Sequence, residues 1–236
     1  MKSAQTLITV LLILATTSWL VADEEGQKYL DQATEAKLNA RNFQQLEDVV
    51  NLAEKAIEEG LDEDGKEFAT QLITATLYQR AEQISNPLLS GRPPQQWVEM
   101  RRLALSDLVR LTKLNDEFAD AHLLIAKLQV LPGGDRKSGI ESATKAFQQY
   151  EDAEQKANAL IARAALRSDK AQQISDLSEA IKLDENNSDA LTARATIYTQ
   201  DNKFDKATED LQRLLEIDGD DAVSYTHLTL PTNREV

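Results

Sequence analysis

The sequence predicts an all-α protein, built as a superhelix (solenoid) of antiparallel helical hairpins. Two ladders of apolar residues recur at a spacing of 34 positions: Ala143, Leu177 and Leu211, and Phe147, Ile181 and Leu215. A fixed period of this length is typical of proteins that stack one small structural unit many times. Up to Ala222, apolar residues also follow the spacing of amphipathic helices, and strand-like alternation is absent from that part of the sequence.

The first 22 residues are predicted to be a secretory signal peptide. Lys2 precedes an apolar run from Leu7 to Val21, and acidic residues follow from Asp23. A positive start, an apolar run and a small residue before the polar switch are typical of such leaders, so cleavage is expected after Ala22. The alternative is an uncleaved anchor, although a bilayer span needs about 20 apolar residues and this run is shorter.

About ten helices are predicted in the rest of the chain from its helical periodicity. Their expected ranges are 26–40, 43–59, 63–85, 95–114, 118–131, 136–149, 153–167, 170–183, 188–200 and 204–217. Breakers separate them, notably Asn86-Pro87, residues 91–94 and Pro132-Gly133-Gly134. Because the turns are short, consecutive helices should pack as antiparallel hairpins. No domain boundary is expected at the longest loop, 86–94, since stacked hairpins share one core.

The most regular unit spans residues 188–221. Its small and apolar positions are Leu191, Ala195, Tyr198, Phe204, Ala207, Leu211, Leu214, Leu215 and Ile217. This pattern resembles the tetratricopeptide repeat (TPR) family. Ala195 and Ala207 are small enough for two helices to approach closely, and Tyr198 and Phe204 would fill the space near their turn. Gly219 stands where the family commonly has proline, and either residue ends a helix.

Earlier units match the family pattern less well. Ala126 and Ala195 are 69 positions apart, two periods plus one, and the extra residue is expected in the turn at 132–135. The middle unit contributes Ala159 and Ala162 from its first helix but lacks the aromatic residues. The resemblance therefore predicts degenerate hairpins over residues 23–115 and TPR-like repeats over 116–222.

The resemblance implies a groove for a protein or peptide partner, lined by the first helix of each hairpin. The implied groove residues are Asp120, Leu123, Lys127, Lys156, Ala159, Arg163, Arg167, Asp189, Thr192, Thr196 and Thr199. Lys127, Arg163 and Arg167 would form a basic strip suited to an acidic peptide or a C-terminal carboxylate. The favoured alternative is that these cations pair with nearby acids. The family's carboxylate-clamp arrangement of lysines and asparagines does not map onto these positions.

Composition argues against several other function classes. The chain has 26 basic and 40 acidic residues and a net charge of −14, so nucleic-acid binding is not expected. It has no cysteine, hence no disulfide and no thiol chemistry. His122 stands alone on a helix and is interpreted as a packing or groove residue, while His227 lies near the C-terminus. Gly133-Gly134 lacks the Gly-Lys-Ser/Thr that completes a phosphate loop. Catalytic residues, metal ligands and cofactors are therefore not predicted.

The last 14 residues, VSYTHLTLPTNREV from Val223 onward, differ in character from the rest of the chain. They are rich in β-branched residues, nearly uncharged and out of register with the repeat. VSYTHLTLPT resembles one reading frame of a DNA-sequencing adapter, so residues 223–236 are expected to be non-native and the natural protein to continue after Ala222. The alternative is a natural, poorly ordered C-terminal tail.

The function expected from these observations is an exported, non-catalytic scaffold that binds a protein partner, without nucleic acid and without a membrane after leader cleavage. A bacterial periplasm or the cell exterior is the expected location. Two alternatives are the repeat region of a larger enzyme or cell-envelope assembly factor, and a membrane-anchored scaffold that keeps its leader.

Both termini can be tested on protein purified from its natural host. Intact-mass analysis with peptide sequencing should give Asp23 as the first residue, and residues other than VSYTHLTLPTNREV after Ala222. A mass that retains the leader would instead establish the anchor. A genomic locus that encodes the same tail in an intact reading frame would refute the adapter interpretation.

Overall fold

A computed structural model describes residues 24–91 and 94–218, without the side chain of residue 218. Within these ranges every regular element is an α-helix. The first, α1, covers residues 24–39, and it is followed by α2 (Phe43–Glu59), α3 (Glu63–Leu89), α4 (Trp97–Leu114), α5 (Ala119–Val130), α6 (Arg136–Gln149), α7 (Ala153–Leu166), α8 (Lys170–Leu183), α9 (Ser188–Gln200) and α10 (Phe204–Asp218). The predicted all-α array of paired helices is confirmed. The predicted leader, 1–22, and the predicted non-native tail, 223–236, lie outside the described residues.

Helix α3 is longer than the sequence predicts, because it continues through Pro87 to Leu89. Proline has no N–H to donate and its ring crowds the preceding turn, so Asn86-Pro87 was expected to end the helix. Burial on the same turn opposes that effect: Ile84 and Leu88 are both buried. The Ser90 hydroxyl also donates to the Pro87 carbonyl at 3.1 Å. The connection to α4 therefore begins at Ser90 rather than at residue 86.

Side-chain caps at helix starts explain why the turns are short. The caps that accept a backbone N–H from the first turn are Asn42, Asp62, Asp135, Asp152, Asp169 and Asn187. Asp62 accepts from Gly65 at 2.7 Å and Asp169 accepts from Gln172 at 2.8 Å. Each cap satisfies donors that a helix start leaves unpaired. A chain that reverses direction at such a residue starts its next helix at a fixed point.

The helices form two compact units, which divide after Asp116. In the first unit α2 packs on α3 and α3 packs on α4. A cluster of Leu30, Ala56, Leu61 and Ala69 joins α1, α2 and α3. Gly26 of α1 lies so close to the end of α2 that an added Cβ would lie 1.7 Å from the Gly60 carbonyl oxygen. Only glycine allows this approach of the two helices.

In the second unit each helix packs on the next, and the first helices of successive hairpins also touch: α5 contacts α7, and α7 contacts α9. A core cluster runs through α7, α8, α9 and α10, and its buried members are Ala157, Leu160, Ala164, Leu177, Ala180, Ile181, Ala190, Leu191 and Leu214. Nearly half of these residues are alanines, whose small side chains let helix axes approach. The leucines supply most of the buried apolar area, which is the main favourable term in folding.

Two leucines of the last hairpin should respond differently to the same substitution. Leu191 is 0% exposed and Leu215 is 48% exposed. Leu191→Ala should lower the free energy of unfolding by about 2–5 kcal/mol, because it leaves a cavity in the core. Leu215→Ala should change it by less than about 0.5 kcal/mol. Urea unfolding followed by circular dichroism measures both, and equal losses would contradict this account of the core.

Candidate functional site

Among the described residues, three hairpins carry an arginine–aspartate pair between their two helices, in which the aspartate is buried and the arginine is partly buried. Arg163 Nη2 of α7 lies 2.8 Å from Asp176 Oδ1 of α8, and its Nε donates to Oδ2 at 3.1 Å. The corresponding bonds between α9 and α10 are 2.6 and 2.9 Å. In the first unit Arg80 Nε of α3 lies 2.9 Å from an Asp107 oxygen of α4. The two pairs of the second unit are two-pronged, and such bonds are among the stronger hydrogen bonds in proteins and fix geometry as well as energy. The pairs are Arg80–Asp107, Arg163–Asp176 and Arg194–Asp210.

Each of these arginines also contacts an oxygen on the helix that precedes its hairpin. Arg194 donates to the Ser178 hydroxyl of α8 at 3.0 Å, and Arg163 reaches the Thr144 hydroxyl of α6 at 3.5 Å. Arg80 contacts the Glu47 carboxylate of α2. One guanidinium group thus joins three helices. We call each such set an arginine clamp: an arginine, the aspartate of its own hairpin, and the oxygen of the preceding helix.

Charge and burial oppose each other within the clamps. Hydrogen bonding to the Asp210 carboxylate raises the pKa of Arg194 above its ordinary value. Burial raises the pKa of the Asp107 carboxyl, while the positive charges of Arg80 and Arg110 act to lower it. A buried carboxylate costs solvation energy unless its charge and lone pairs are matched. The two clamps of the second unit supply that match with hydrogen bonds of 2.6 to 3.1 Å.

The hairpin of α5 and α6 has no clamp, and it replaces both charges together. Ile125 lies 69 positions before Arg194, and Ser142 lies 68 positions before Asp210. Both are buried. An arginine alone at the first position, or an aspartate alone at the second, would leave an unmatched buried charge. The chain therefore uses two solutions at one repeat position, a charged pair and an uncharged pair.

The clamps were not predicted from the sequence, although a short sequence pattern marks them. Each arginine is followed by alanine and each aspartate by leucine: Arg80-Ala81, Arg163-Ala164, Arg194-Ala195, Asp107-Leu108, Asp176-Leu177 and Asp210-Leu211. The alanine permits close helix packing and the leucine enters the core. Their charged neighbours lie beside the core rather than on the outer surface.

The clamps also correct the register of α7. Arg163 and Arg194 are equivalent, yet they are 31 rather than 34 positions apart, whereas Asp176 and Asp210 keep the spacing of 34. The difference lies in the first helices, because α7 ends three residues after Arg163 and α9 ends six residues after Arg194, whereas both turns have three residues. Ala164, and not Ala162, is the counterpart of Ala195. Ala159, which was expected to line the groove, is completely buried.

The structure brings two of the predicted groove cations together on one acid. Arg167 Nε lies 2.5 Å from Asp176 Oδ2, so Arg163 and Arg167 share that carboxylate. Both arginines therefore pair with a nearby acid, which is the favoured alternative, and they do not form an open strip with Lys127. Lys127 is exposed and Lys156 is partly exposed.

The other residues predicted for the groove and for repeat packing lie either in contacts between helices or on exposed helix faces. Thr192 and Thr196 are partly exposed on α9, and the Thr196 hydroxyl donates to the Thr192 carbonyl at 2.8 Å. Of the predicted repeat-signature residues, Ala126, Ala195 and Ala207 are buried, while Tyr198, Phe204 and Leu211 are partly exposed. Leu215 is largely open, and His122 is buried in α5.

In the corrected register, each first helix of the second unit (α5, α7 and α9) carries one stripe of residues that are at least partly exposed. We call these three stripes together the first-helix face. Its residues are Asp120, Leu123, Lys127 and Val130 on α5, Asn158, Ile161 and Ala165 on α7 with Ser168 just after that helix, and Asp189, Thr192, Thr196 and Thr199 on α9. The stripes lie side by side because α5 contacts α7 and α7 contacts α9.

The first-helix face changes in polarity along its helices. Asp120 and Asp189 lie in the first turns of α5 and α9. The Tyr150 hydroxyl donates to the Asp120 carboxylate at 2.6 Å and holds it in place. Further along, Leu123, Ile161 and Thr192 make the face apolar or weakly polar, and the exposed Lys127 follows one turn later on α5. An acidic edge beside an apolar strip can recognise a peptide segment by charge at one end and by packing along the rest.

The described part of the chain has neither a group of side chains placed to hold a metal ion nor a helix able to span a membrane. Residues 24–91 and 94–218 contain no cluster of three or more histidine or acidic side chains placed to hold a metal ion. Among the helices of these same ranges, none combines the length and the apolar character that crossing a bilayer requires.

Comparison with known proteins finds a similar fold but no similar sequence. No protein-family profile matches the chain, and no curated protein matches its sequence. Among solved structures, it is similar to that titled "Crystal structure of MamA protein", with a TM-score of 0.55 and 12% sequence identity. The alignment covers 83% of this chain and 93% of that chain. The fold is TPR-like. At this level of identity the likeness concerns the fold alone.

The clamp between α9 and α10 makes a quantitative prediction. Asp210→Ala should lower the free energy of unfolding by about 3–5 kcal/mol, because it leaves Arg194 buried without its carboxylate. The double variant Arg194→Ile/Asp210→Ser copies the uncharged pair of α5 and α6, so it should recover most of that loss. Urea denaturation measures both. A double variant no more stable than Asp210→Ala would show that the two positions are not coupled.

Proposed function

We propose that this protein is a TPR-type interaction scaffold that binds a protein partner on the first-helix face. The observation that carries the proposal is the arrangement of α5, α7 and α9. These helices lie side by side, and each turns one partly exposed stripe to the same face. The clamp arginines of α7 and α9, meanwhile, are directed into the hairpins. The similarity of the fold to MamA, a TPR-like protein, supports the same kind of function.

Rigidity supports a binding role for this face. Arg163 and Arg194 each bond to two helices other than their own, so α7 and α9 are held at fixed positions next to α6, α8 and α10. A surface that is already ordered loses little conformational entropy when a partner binds. Side chains such as Thr192 and Thr196 lose little rotamer freedom in contact with a peptide.

The face also indicates the chemistry of the partner. Asp120 and Asp189 favour a basic residue near the starts of the first helices. Leu123, Ile161 and the threonine methyl groups favour small or apolar residues beyond it. We therefore propose a peptide segment in which a basic residue is followed by an apolar stretch, bound without catalysis. An acidic partner depended on an open basic strip, which the sequence analysis gave as the less favoured alternative, and Arg163 and Arg167 are engaged with Asp176.

We also propose that the protein acts outside the cytoplasm of a bacterium. The support is the leader-like order of Lys2, the apolar run Leu7–Val21 and Ala22 in the sequence. The mass measurement of the mature N-terminus, described above, tests this part separately from the binding function.

Site-specific photo-crosslinking in the natural host tests the binding face. Ala165 is an exposed alanine on the first-helix face, and Ala171 is an exposed alanine on α8, outside that face. A photoreactive amino acid at position 165 should give a discrete covalent adduct with a protein partner, because its side chain lies in the contact. The same amino acid at position 171 is the matched control and should give no such adduct.

A second variant links the adduct to the face itself. Thr196→Arg places a bulky cation beside the apolar strip, and it should reduce the adduct at position 165 by about tenfold, as expected for a contact in the centre of an interface. Position 196 is partly exposed, so the variant should keep the circular dichroism spectrum of the original protein. Identical adducts from positions 165 and 171, or an adduct that Thr196→Arg leaves unchanged, would contradict the proposal.

A further inference from the structure

The turn between α8 and α9 carries the only Asn-X-Ser/Thr motif of the sequence, Asn186-Asn187-Ser188. In a chain that has left the cytoplasm, such a motif is an acceptor for an N-linked oligosaccharide, provided that its middle residue is not proline. A motif of three residues also recurs by chance, so its surroundings in the fold decide whether it can react. An acceptor has to lie on an open surface loop.

Asn186 meets this condition. It is exposed, and it lies in the turn of residues 184–187. Its backbone N–H donates to the Asp184 carboxylate at 3.3 Å, which helps to fix the turn. Its side-chain amide makes no hydrogen bond to another described residue. A sugar attached to this amide would therefore replace no native contact of Asn186.

The neighbouring asparagine has a different task. The Asn187 side-chain oxygen accepts from the Ala190 N–H at 3.0 Å and caps α9, and its amide donates to Asp184 at 2.9 Å. Both groups of this side chain are thus engaged within the fold. The residue two positions after Asn187 is Asp189, so Asn187 is not an acceptor by sequence either. Of the two asparagines, one fixes the start of α9 and the other is presented to solvent.

Ser188 supplies the hydroxyl that the motif requires, and this hydroxyl is open. Helix α9 begins at Ser188, but its side-chain cap is Asn187, so the serine is not needed to start the helix. Ser188 is partly exposed, and its hydroxyl makes no hydrogen bond to another described residue. The amide of Asn186 and the hydroxyl of Ser188 are therefore both available at one turn.

An open depression of about 630 Å³ lies next to Asn186, and its lining suits a sugar. Sugar hydroxyl groups both donate and accept hydrogen bonds, so they can bond to carboxylate, amide and guanidinium groups. None of the lining residues belongs to the first-helix face, so a glycan in the depression would leave that face open. The residues of the lining are Asn186, Glu209, Gln212, Arg213, Glu216 and Ile217.

We propose that Asn186 is an N-glycosylation site, and that the sugar donor is an oligosaccharide linked to a lipid diphosphate. The amide nitrogen of Asn186 forms a bond to the anomeric carbon of the oligosaccharide, while the bond from that carbon to the diphosphate oxygen breaks. The lipid diphosphate leaves with the electron pair, and one amide proton passes to a base of the host's oligosaccharyltransferase. The inference rests on the proposed export of the chain, and it does not depend on partner binding.

Glycopeptide mass spectrometry on the full chain from its natural host tests the site. Trypsin releases the motif within one peptide, residues 183–194. This peptide should carry an oligosaccharide, and electron-transfer dissociation should place it on Asn186 rather than on Ser188 or Thr192. In the Asn186→Gln variant the peptide should lose the whole of the added mass, because glutamine is not an acceptor in this motif.

Three further variants separate glycosylation from folding of the turn. Ser188→Ala should abolish the oligosaccharide, because it removes the hydroxyl of the motif, whereas Ser188→Thr should retain it. Asn187→Ser is the matched control, since serine also caps a helix and the motif is preserved, and it should keep the oligosaccharide. Circular dichroism checks that each variant is folded.

The same measurement distinguishes this inference from the proposed export. A chain that begins at Asp23 and carries no sugar on Asn186 would overturn the inference and leave export standing. A chain that keeps its leader and carries no sugar would contradict both. An oligosaccharide on Ser188 or Thr192, or one that survives Ser188→Ala, would overturn the assignment to Asn186. Partner binding is tested separately by the adduct at position 165.

Discussion

A guanidinium group packed between helices must find oxygen acceptors on the sides that face protein, and this requirement organises the hairpins that carry a clamp. Arg163 and Arg194 each satisfy it with a carboxylate from the second helix of their own hairpin and a hydroxyl from the helix before. A shift of either helix by one residue would move its oxygen away from the arginine. The apolar contacts alone tolerate such shifts better, because alanine and leucine pack acceptably in several registers.

The charges need not add to stability to serve this purpose. Buried ion pairs often contribute little net free energy compared with apolar replacements, since both groups lose their hydration. The hairpin of α5 and α6 is an internal example, because Ile125 and Ser142 occupy the clamp positions without charge. The clamps therefore specify which residues meet, and the apolar clusters supply the free energy. The clamps also decide the chemistry of the surface, because arginines that are directed inward leave threonine, asparagine and aliphatic side chains on the first-helix face.

The positions of the helices follow from the periodicity of apolar residues and were predictable. The end of α3 and the register of α7 depend on competing local interactions and were not. The spacing of 34 and the amphipathic stripes located the helices, and most ends agree within two residues. Pro87 was expected to end α3, but burial of Ile84 and Leu88 outweighs the missing hydrogen bond. The register of α7 was misplaced because the five alanines between Ala157 and Ala165 offer several equivalent positions. Only the pairing of Arg163 with Asp176 distinguishes them. The sequence does not say which side of a predicted first helix packs on its neighbour. It therefore cannot distinguish an arginine that faces solvent from one that faces an aspartate.

The clamps have a direction along the chain, and this bears on how such an array can grow or shrink. Each arginine depends on the helix before it and on its own hairpin, but on nothing that follows. Removing α9 and α10 would leave Arg163, Asp176 and Thr144 intact, whereas removing α6 would take Thr144 from Arg163. The hairpin of α5 and α6, with Ile125 in place of an arginine, requires no oxygen from a preceding helix. During evolution, hairpins can therefore be gained or lost at the α10 end without taking a clamp oxygen from earlier ones, while the clamp-free hairpin is suited to begin the series.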